Sequence, residues 1–120
     1  MPGVNILCVF NDAAFSAGAF AALKQSSYLV MSADCAEEAD RDFTRDNFQV
    51  VVIGPGLARP AKEHLAIKAW ESGCAVVVVC SDPDDYKIRA DEHLDVKDSG
   101  TKLVPIVMKA VTAKFYAVAV

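Results

Sequence analysis

The stretch Val50-Val-Val-Ile-Gly-Pro-Gly56 is a short run of β-branched residues that stops at a turn sequence. Such runs, without polar alternation, are typical of strands that are covered on both faces. Similar apolar runs occupy residues 6–10, 28–31 and 75–80, and each is followed by turn or helix-start residues. A weaker run at residues 93–97 alternates apolar and polar side chains, as an edge strand does. The sequence therefore predicts five strands.

Helical segments are predicted between these strands. Residues 13–25 are rich in alanine with apolar side chains at helical spacing, residues 37–47 are mostly charged, and residues 61–72 end at Gly73. Residues 83–92 are polar and predict a weak helix at best, whereas residues 101–117 form a largely apolar helix. Pro105 is expected in the first turn of that last helix, where its missing N–H is tolerated.

Alternating β and α segments favour a parallel sheet with right-handed crossovers. Five such units suit the flavodoxin-like (βα)5 fold, a doubly wound α/β sandwich with strand order 2-1-3-4-5. With 120 residues, of which 53% are hydrophobic, the chain is expected to form one domain over residues 1–120. Ligands of this fold bind outside the carboxyl ends of strands 1 and 3, so the residues that follow the strands carry the functional information.

The composition disfavours several classes of partner. A net charge of −4 argues against a broad electrostatic contact with nucleic acid. No apolar run reaches the roughly 20 residues that span a bilayer, and the N-terminus lacks the basic region of a signal peptide. The four cysteines form no C-x-x-C pair, and Cys8 and Cys80 are expected to be small buried hydrophobes rather than zinc ligands or disulfide partners. We expect a cytoplasmic protein without membrane contact, metal or cofactor.

The strand ends lack the motifs of nucleotide binding and of catalysis. Residues 11–16, after the first strand, contain no glycine, although a dinucleotide fingerprint needs several there. Gly54 and Gly56 flank Pro55, which has no N–H for an anion, so this loop is expected to be a tight turn. No serine, histidine and acid arrangement is evident, and we expect no enzymatic activity.

Four segments carry a resemblance to a known family: residues 6–12, which end in Asn11-Asp12, then Ser27-Tyr-Leu-Val30, Glu37-Glu-Ala39 and Phe48-Gln-Val-Val-Val-Ile-Gly54. In these features the whole chain resembles the receiver domain of bacterial two-component response regulators, such as the chemotaxis regulator. The resemblance implies a pocket of two acidic residues after strand 1 and a phosphate-accepting aspartate at the end of strand 3. It also implies a hydroxyl residue after strand 4 and a lysine after strand 5.

Several of these positions depart from the family pattern. The acceptor position falls on Gly54, so the resemblance implies that no aspartyl phosphate can form. A poor Mg²⁺ site is also implied, because Mg²⁺ needs clustered oxygen ligands to offset phosphoryl charge. We therefore expect a degenerate pseudo-receiver. Its pocket positions are Phe10, Asn11, Asp12, Gly54, Cys80, Ser81 and Lys97. Lys97 either pairs with Asp12 across the pocket or is a surface lysine beside two aspartates.

A domain that cannot be phosphorylated is expected to act by binding a partner. The last segment carries more apolar residues than one helical stripe uses, so either the helix is deeply buried or it contributes an interface. In receivers this region docks partners or a twin domain, and the candidate interface residues are Leu103, Val107, Met108, Val111 and Phe115. We expect a protein partner or a homodimer through the last helix. The alternative is a small-ligand or nucleotide-binding flavodoxin-like domain, which would use the crevice between Asn11 and Gly54.

Overall fold

A five-stranded parallel sheet runs through the centre of the computed structural model, which describes residues 4–26, 28–45 and 47–116. Its strands are β1 (Asn5–Val9), β2 (Leu29–Ala33), β3 (Val50–Ile53), β4 (Ala75–Cys80) and β5 (Glu92–Asp95). All four neighbouring pairs are parallel, and the strand order is β2-β1-β3-β4-β5. The predicted strand order and flavodoxin-like fold are confirmed.

Four α-helices cover the sheet: α1 (Ala13–Gln25), α2 (Ala36–Arg45), α3 (Arg59–Glu71) and α4 (Ser99–Val111). The weak helix predicted at residues 83–92 is only a 3-10 segment, Pro83–Lys87. Helix α4 continues as a π-type turn over Thr112–Tyr116, and its predicted end at residue 117 lies outside the described residues. None of the described helices has the length and apolar character needed to cross a membrane.

Pro105 does not lie in the first helical turn, so that prediction is wrong. A 3-10 turn, Val96–Asp98, leads directly into α4 at Ser99, two residues before the predicted start. Pro105 consequently lies inside the helix. There its ring nitrogen leaves the carbonyl of Thr101 without the usual helical donor.

The alternating side chains of the central strands build two apolar layers, one on each face of the sheet. Ile6 and Cys8 of β1 pack with residues of α1 and α4. Leu7 and Val9 point to the other face and pack with residues of α2 and α3. Both faces of β3 and β4 are buried, which explains why their sequences are continuous apolar runs rather than alternating ones.

Three of the five candidate interface residues belong to this core. Leu103, Val107 and Val111 are 0–1% exposed, because they form the stripe of α4 that faces the sheet. The prediction that they lie at an interface is therefore wrong. Met108 and Phe115 remain accessible, with 51% and 44% of their surface exposed.

The cysteines are free thiols, and three of them are buried. Burial raises the pKa of Cys8 to about 12 and that of Cys74 and Cys80 to about 11. Cys8 and Cys80 are therefore packing residues, as predicted.

A buried ion pair fixes the short crossover between β4 and β5. The Nζ atom of Lys62, on α3, lies 3.1 Å from both carboxylate oxygens of Asp85, in the 3-10 segment. Both residues are almost fully buried. Oδ2 of Asp85 also accepts hydrogen bonds from the backbone amides of Ser81 and Asp82, at 3.0 and 3.1 Å. Asp82 caps the segment, which begins at Pro83.

Burial by itself would raise the pKa of Asp85, but the Lys62 ammonium and the two amides outweigh it. The pKa of Asp85 therefore lies below its ordinary value of 3.8. A carboxyl group with a depressed pKa in the folded state contributes stability at pH values above the ordinary value. This contribution is lost as the pH falls through the lowered pKa.

We predict that Asp85→Asn lowers the free energy of unfolding by about 3–5 kcal/mol, because it leaves the Lys62 ammonium buried without a counter-charge. The double variant Lys62→Met/Asp85→Asn should recover part of this loss. The natural protein should lose stability as the pH falls below 3.8, and part of this decrease should be absent from the Asp85→Asn variant. Denaturant unfolding at several pH values measures both effects.

The matched control is Asp84→Asn, which breaks exposed pairs with Lys87 and Arg59 and should change stability little. Equal effects of the Asp84 and Asp85 variants would contradict a structural role for the buried pair.

Candidate functional site

The carboxyl ends of β1 and β3 meet where the fold places ligand sites. Parallel pairing continues past the strand ends, since the amide of Gly54 donates to the carbonyl of Val9 at 2.9 Å. The amide of Asn11 then donates to the carbonyl of Pro55 at 3.0 Å. These two bonds bring Phe10 and Asn11 beside Gly54, as the sequence predicted.

The phenyl ring of Phe10 occupies the space above Gly54. A Cβ atom built on Gly54 would overlap Cδ1 of Phe10 and lie 2.5 Å from Cε1 and 3.1 Å from Cγ. Phe10 is only 4% exposed, and its ring packs edge-to-face on Phe15 of α1, with centroids 4.8 Å apart. No side chain longer than hydrogen fits at residue 54 while the phenyl ring is in this position.

The turn that follows is equally close to the first strand. Gly56 has a φ of +93°, and a Cβ atom there would overlap the carbonyl of Asn11. Glycine is needed at this position both for the backbone conformation and for the close approach of two chain segments. Gly54, Pro55 and Gly56 thus form a packed turn.

Asp12 serves as the N-cap of α1. Its Oδ1 accepts a hydrogen bond from the amide of Phe15 at 3.1 Å, and its backbone is extended. This cap fixes the start of α1 at Ala13, the first residue of the predicted helix.

Of the two interpretations of Lys97, the ion pair with Asp12 is not formed among the residues that the structure describes. Lys97 is part of the 3-10 turn after β5, because β5 ends at Asp95 rather than at residue 97. Its amide donates to Oδ1 of Asp95 at 3.0 Å. Within the described part of the chain, no salt bridge joins Asp12 to Lys97. The alternative interpretation, a surface lysine, agrees with the structure.

The positions after β4 are also engaged elsewhere. The Cys80 thiol is buried and lies 3.6 Å from the carbonyl of Val78. Ser81 directs both its amide and its hydroxyl to Asp85, at 3.0 and 3.5 Å. Among the residues that the structure describes, no cluster of three histidine, cysteine or acidic side chains is arranged to hold a metal ion.

Comparison with known proteins gives fold-level similarity. No protein-family profile matches the chain, and no curated protein sequence matches it. Among solved structures, response regulator TrrA from Thermotoga maritima, in complex with Mg²⁺-BeF, has a TM-score of 0.73 and 18% identity. That match covers 90% of this chain and 99% of TrrA.

Two further structures match over nearly the whole chain. One is the N-terminal domain of a response regulator/sensory box/GGDEF protein from Carboxydothermus hydrogenoformans, with TM-score 0.79, 17% identity and coverage of 96% of this chain and 99% of that one. The other is the signal receiver domain of a histidine kinase from Syntrophus aciditrophicus, with TM-score 0.77, 15% identity and coverage of 98% and 97%.

The chain has the response-regulator receiver fold. Identities of 15–18% establish this fold and nothing finer. In this receiver fold, Gly54 stands at the carboxyl end of β3, and Phe10 fills the adjoining space. The crevice between Asn11 and Gly54 that a small-molecule ligand would need is therefore occupied by the phenyl ring.

Two features of this region are not evident from the sequence. Position 10 is noticeable in the sequence only because the receiver pattern has an acidic residue there, and nothing indicates that the Phe10 side chain fills the space beside Gly54. The Lys62–Asp85 pair is not foreseen either, yet the buried stripe of α3 contains a signal for it. Lys62, Leu65 and Ala69 recur at helical spacing, and a charged residue within an apolar stripe needs a buried partner.

We predict that Gly54→Ala destabilises the protein by about 1–3 kcal/mol, because the new methyl group overlaps the Phe10 ring. Phe10→Ala should cost about 3–5 kcal/mol by emptying its buried site. In the Phe10→Ala background, Gly54→Ala should cost almost nothing. A double-mutant cycle by denaturant unfolding measures this coupling.

Gly18→Ala is the control, because Gly18 lies inside α1 with open space around it. That substitution should stabilise the protein by about 0.5–1 kcal/mol. If Gly54→Ala has the same penalty with and without the phenyl ring, the overlap does not limit residue 54.

Proposed function

We propose that this chain is a signalling domain with the receiver fold that accepts no phosphoryl group and acts by binding another protein. The observation that carries the proposal is the Phe10 ring, which lies where a side chain at Gly54 would begin. An acceptor carboxylate is absent from the sequence at residue 54, and the packing leaves no room for one.

The surroundings of Gly54 support the same conclusion. Asp12 is used as a helix cap, and Ser81 is hydrogen-bonded to Asp85. Lys97 belongs to a 3-10 turn beyond the end of β5. Phosphoryl transfer to a carboxylate depends on a metal ion and cations that offset the charge of the phosphoryl oxygens. The residues at these positions do not provide such a set, so we propose that the domain is not an enzyme.

The outer side of α4 and its continuation is the proposed binding face for a protein partner. Met108 and Phe115 are exposed there, whereas the sheet-facing residues of the same helix are buried. Large exposed apolar side chains that share one helix mark interaction surfaces more often than isolated ones do. A contact of 3.7 Å between Lys109 and Glu92 links this helix to β5, so both elements border the face.

Incubation with acetyl phosphate and Mg²⁺ should leave the intact mass of the protein unchanged. A receiver that retains its acceptor aspartate serves as the positive control under the same conditions. Mass spectrometry of intact protein reads the result, because one aspartyl phosphate adds a single phosphoryl group. A phosphorylated species of this chain would refute the proposal that it is a pseudo-receiver.

Charges on the proposed binding face should abolish partner binding. The natural chain, immobilised on a column, is used to capture proteins from an extract of its own cells. We predict that the variant Met108→Glu/Phe115→Glu no longer captures some of these proteins. Leu29→Glu is the matched control, since Leu29 is 62% exposed on an edge strand away from α4. Identical retained proteins for all three chains would show that α4 does not carry the binding face.

A further inference from the structure

One side of α3, next to the crossover between β4 and β5, is uncovered. Only the five-residue 3-10 segment Pro83–Lys87 stands where the sequence predicted a weak helix at best. Ile67 and Trp70 of α3 are 59% and 47% exposed. They border a groove of about 170 Å³ whose other lining residues are Ala66, Glu71 and Arg89. We refer to these five residues as the α3 shelf.

Two opposite charges border the apolar part of the α3 shelf. The Arg89 guanidinium lies over the Trp70 indole, 4.3 Å from its centroid, in a cation–π contact that fixes its orientation. Glu71 lies next to Trp70 in the last turn of α3. Neither Arg89 nor Glu71 forms a salt bridge with another described residue.

The other charged residues of α3 form salt bridges. Arg59 contacts Glu63 and Asp84, and Lys68 contacts Asp40. Arg89 and Glu71 thus stand out as a separate cation and anion at the edges of an apolar surface. Such a surface matches a partner that offers apolar side chains together with one acidic and one basic group.

We propose that the α3 shelf binds a second copy of this chain across a two-fold axis. An axis that passes between Arg89 and Glu71 exchanges their positions, so Arg89 of each copy meets Glu71 of the other. Trp70 and Ile67 of the two copies then pack against each other between two ion pairs. A second copy of the chain therefore supplies the apolar side chains, the acidic group and the basic group that match this surface.

This dimer leaves the proposed binding face on α4 free. Helix α3 packs on one face of the sheet, and α4 packs on the opposite face. The inference therefore goes beyond the proposed function and does not depend on it. The α3 shelf is small compared with standard interfaces, which engage about 20–30 residues a side, so we expect a weak dimer.

Sedimentation velocity over a range of concentrations tests the proposal on the full chain. The natural protein should show a concentration-dependent equilibrium between monomer and dimer. Arg89→Glu and Glu71→Arg should each weaken the dimer by at least about tenfold, because each creates two like-charge contacts across the axis. Both positions are at the surface, and circular dichroism should show unchanged folding.

An equimolar mixture of the two variants provides the decisive measurement. In a mixed dimer, the copy with Arg89→Glu has a carboxylate at both positions, and the copy with Glu71→Arg has a guanidinium at both. Each carboxylate then faces a guanidinium across the axis, so both ion pairs return. The mixture should therefore dimerise more strongly than either variant alone, and the double variant Arg89→Glu/Glu71→Arg should do the same. This rescue requires that residues 71 and 89 of different copies lie close to each other.

Met108→Glu/Phe115→Glu is the control and should dimerise like the natural chain. A natural protein that is monomeric at all concentrations would overturn the inference. A dimer that resists both charge reversals, or that only the α4 variant dissociates, would also overturn it. These outcomes leave the proposed function standing, because that function is tested by intact mass and partner capture.

Discussion

Packing of the Phe10 ring over Gly54 is the steric constraint on which the rest of the site depends. The register that joins Val9 to Ile53 places the next two residues, Phe10 and Gly54, side by side. The ring covers Gly54, so residue 54 has no room for a side chain while the ring is in this position. The ring contributes to the core and packs against α1, so the space beside Gly54 is filled by apolar packing.

A second structural feature has consequences on the other side of the sheet. The crossover between β4 and β5 is reduced to a 3-10 segment, and the Lys62–Asp85 pair holds that segment against α3. A buried pair of this kind is sensitive to the loss of either partner, because the remaining charge stays buried without a counter-charge. The same crossover supplies Arg89, which lies over Trp70 at the edge of the α3 shelf.

Much of the fold was predictable because its signals are local. The apolar runs of β3 and β4 indicated strands buried on both faces, and Asp12 indicated the start of α1. The outward side of the last helix was not predictable in the same way. Leu103 and Met108 are both apolar, and only the placement of α4 on the sheet shows that the first is buried and the second exposed.

The sequence by itself determined the alternation of strands and helices and the absence of a carboxylate at residue 54. Each of these depends on residue type or on short-range periodicity, which the linear chain contains in full. Tertiary structure decided that Phe10 fills the space beside Gly54, that Lys62 meets Asp85, and that Arg89 lies over Trp70. These contacts join residues that are far apart in the chain, so they form only when the helices have packed on the sheet.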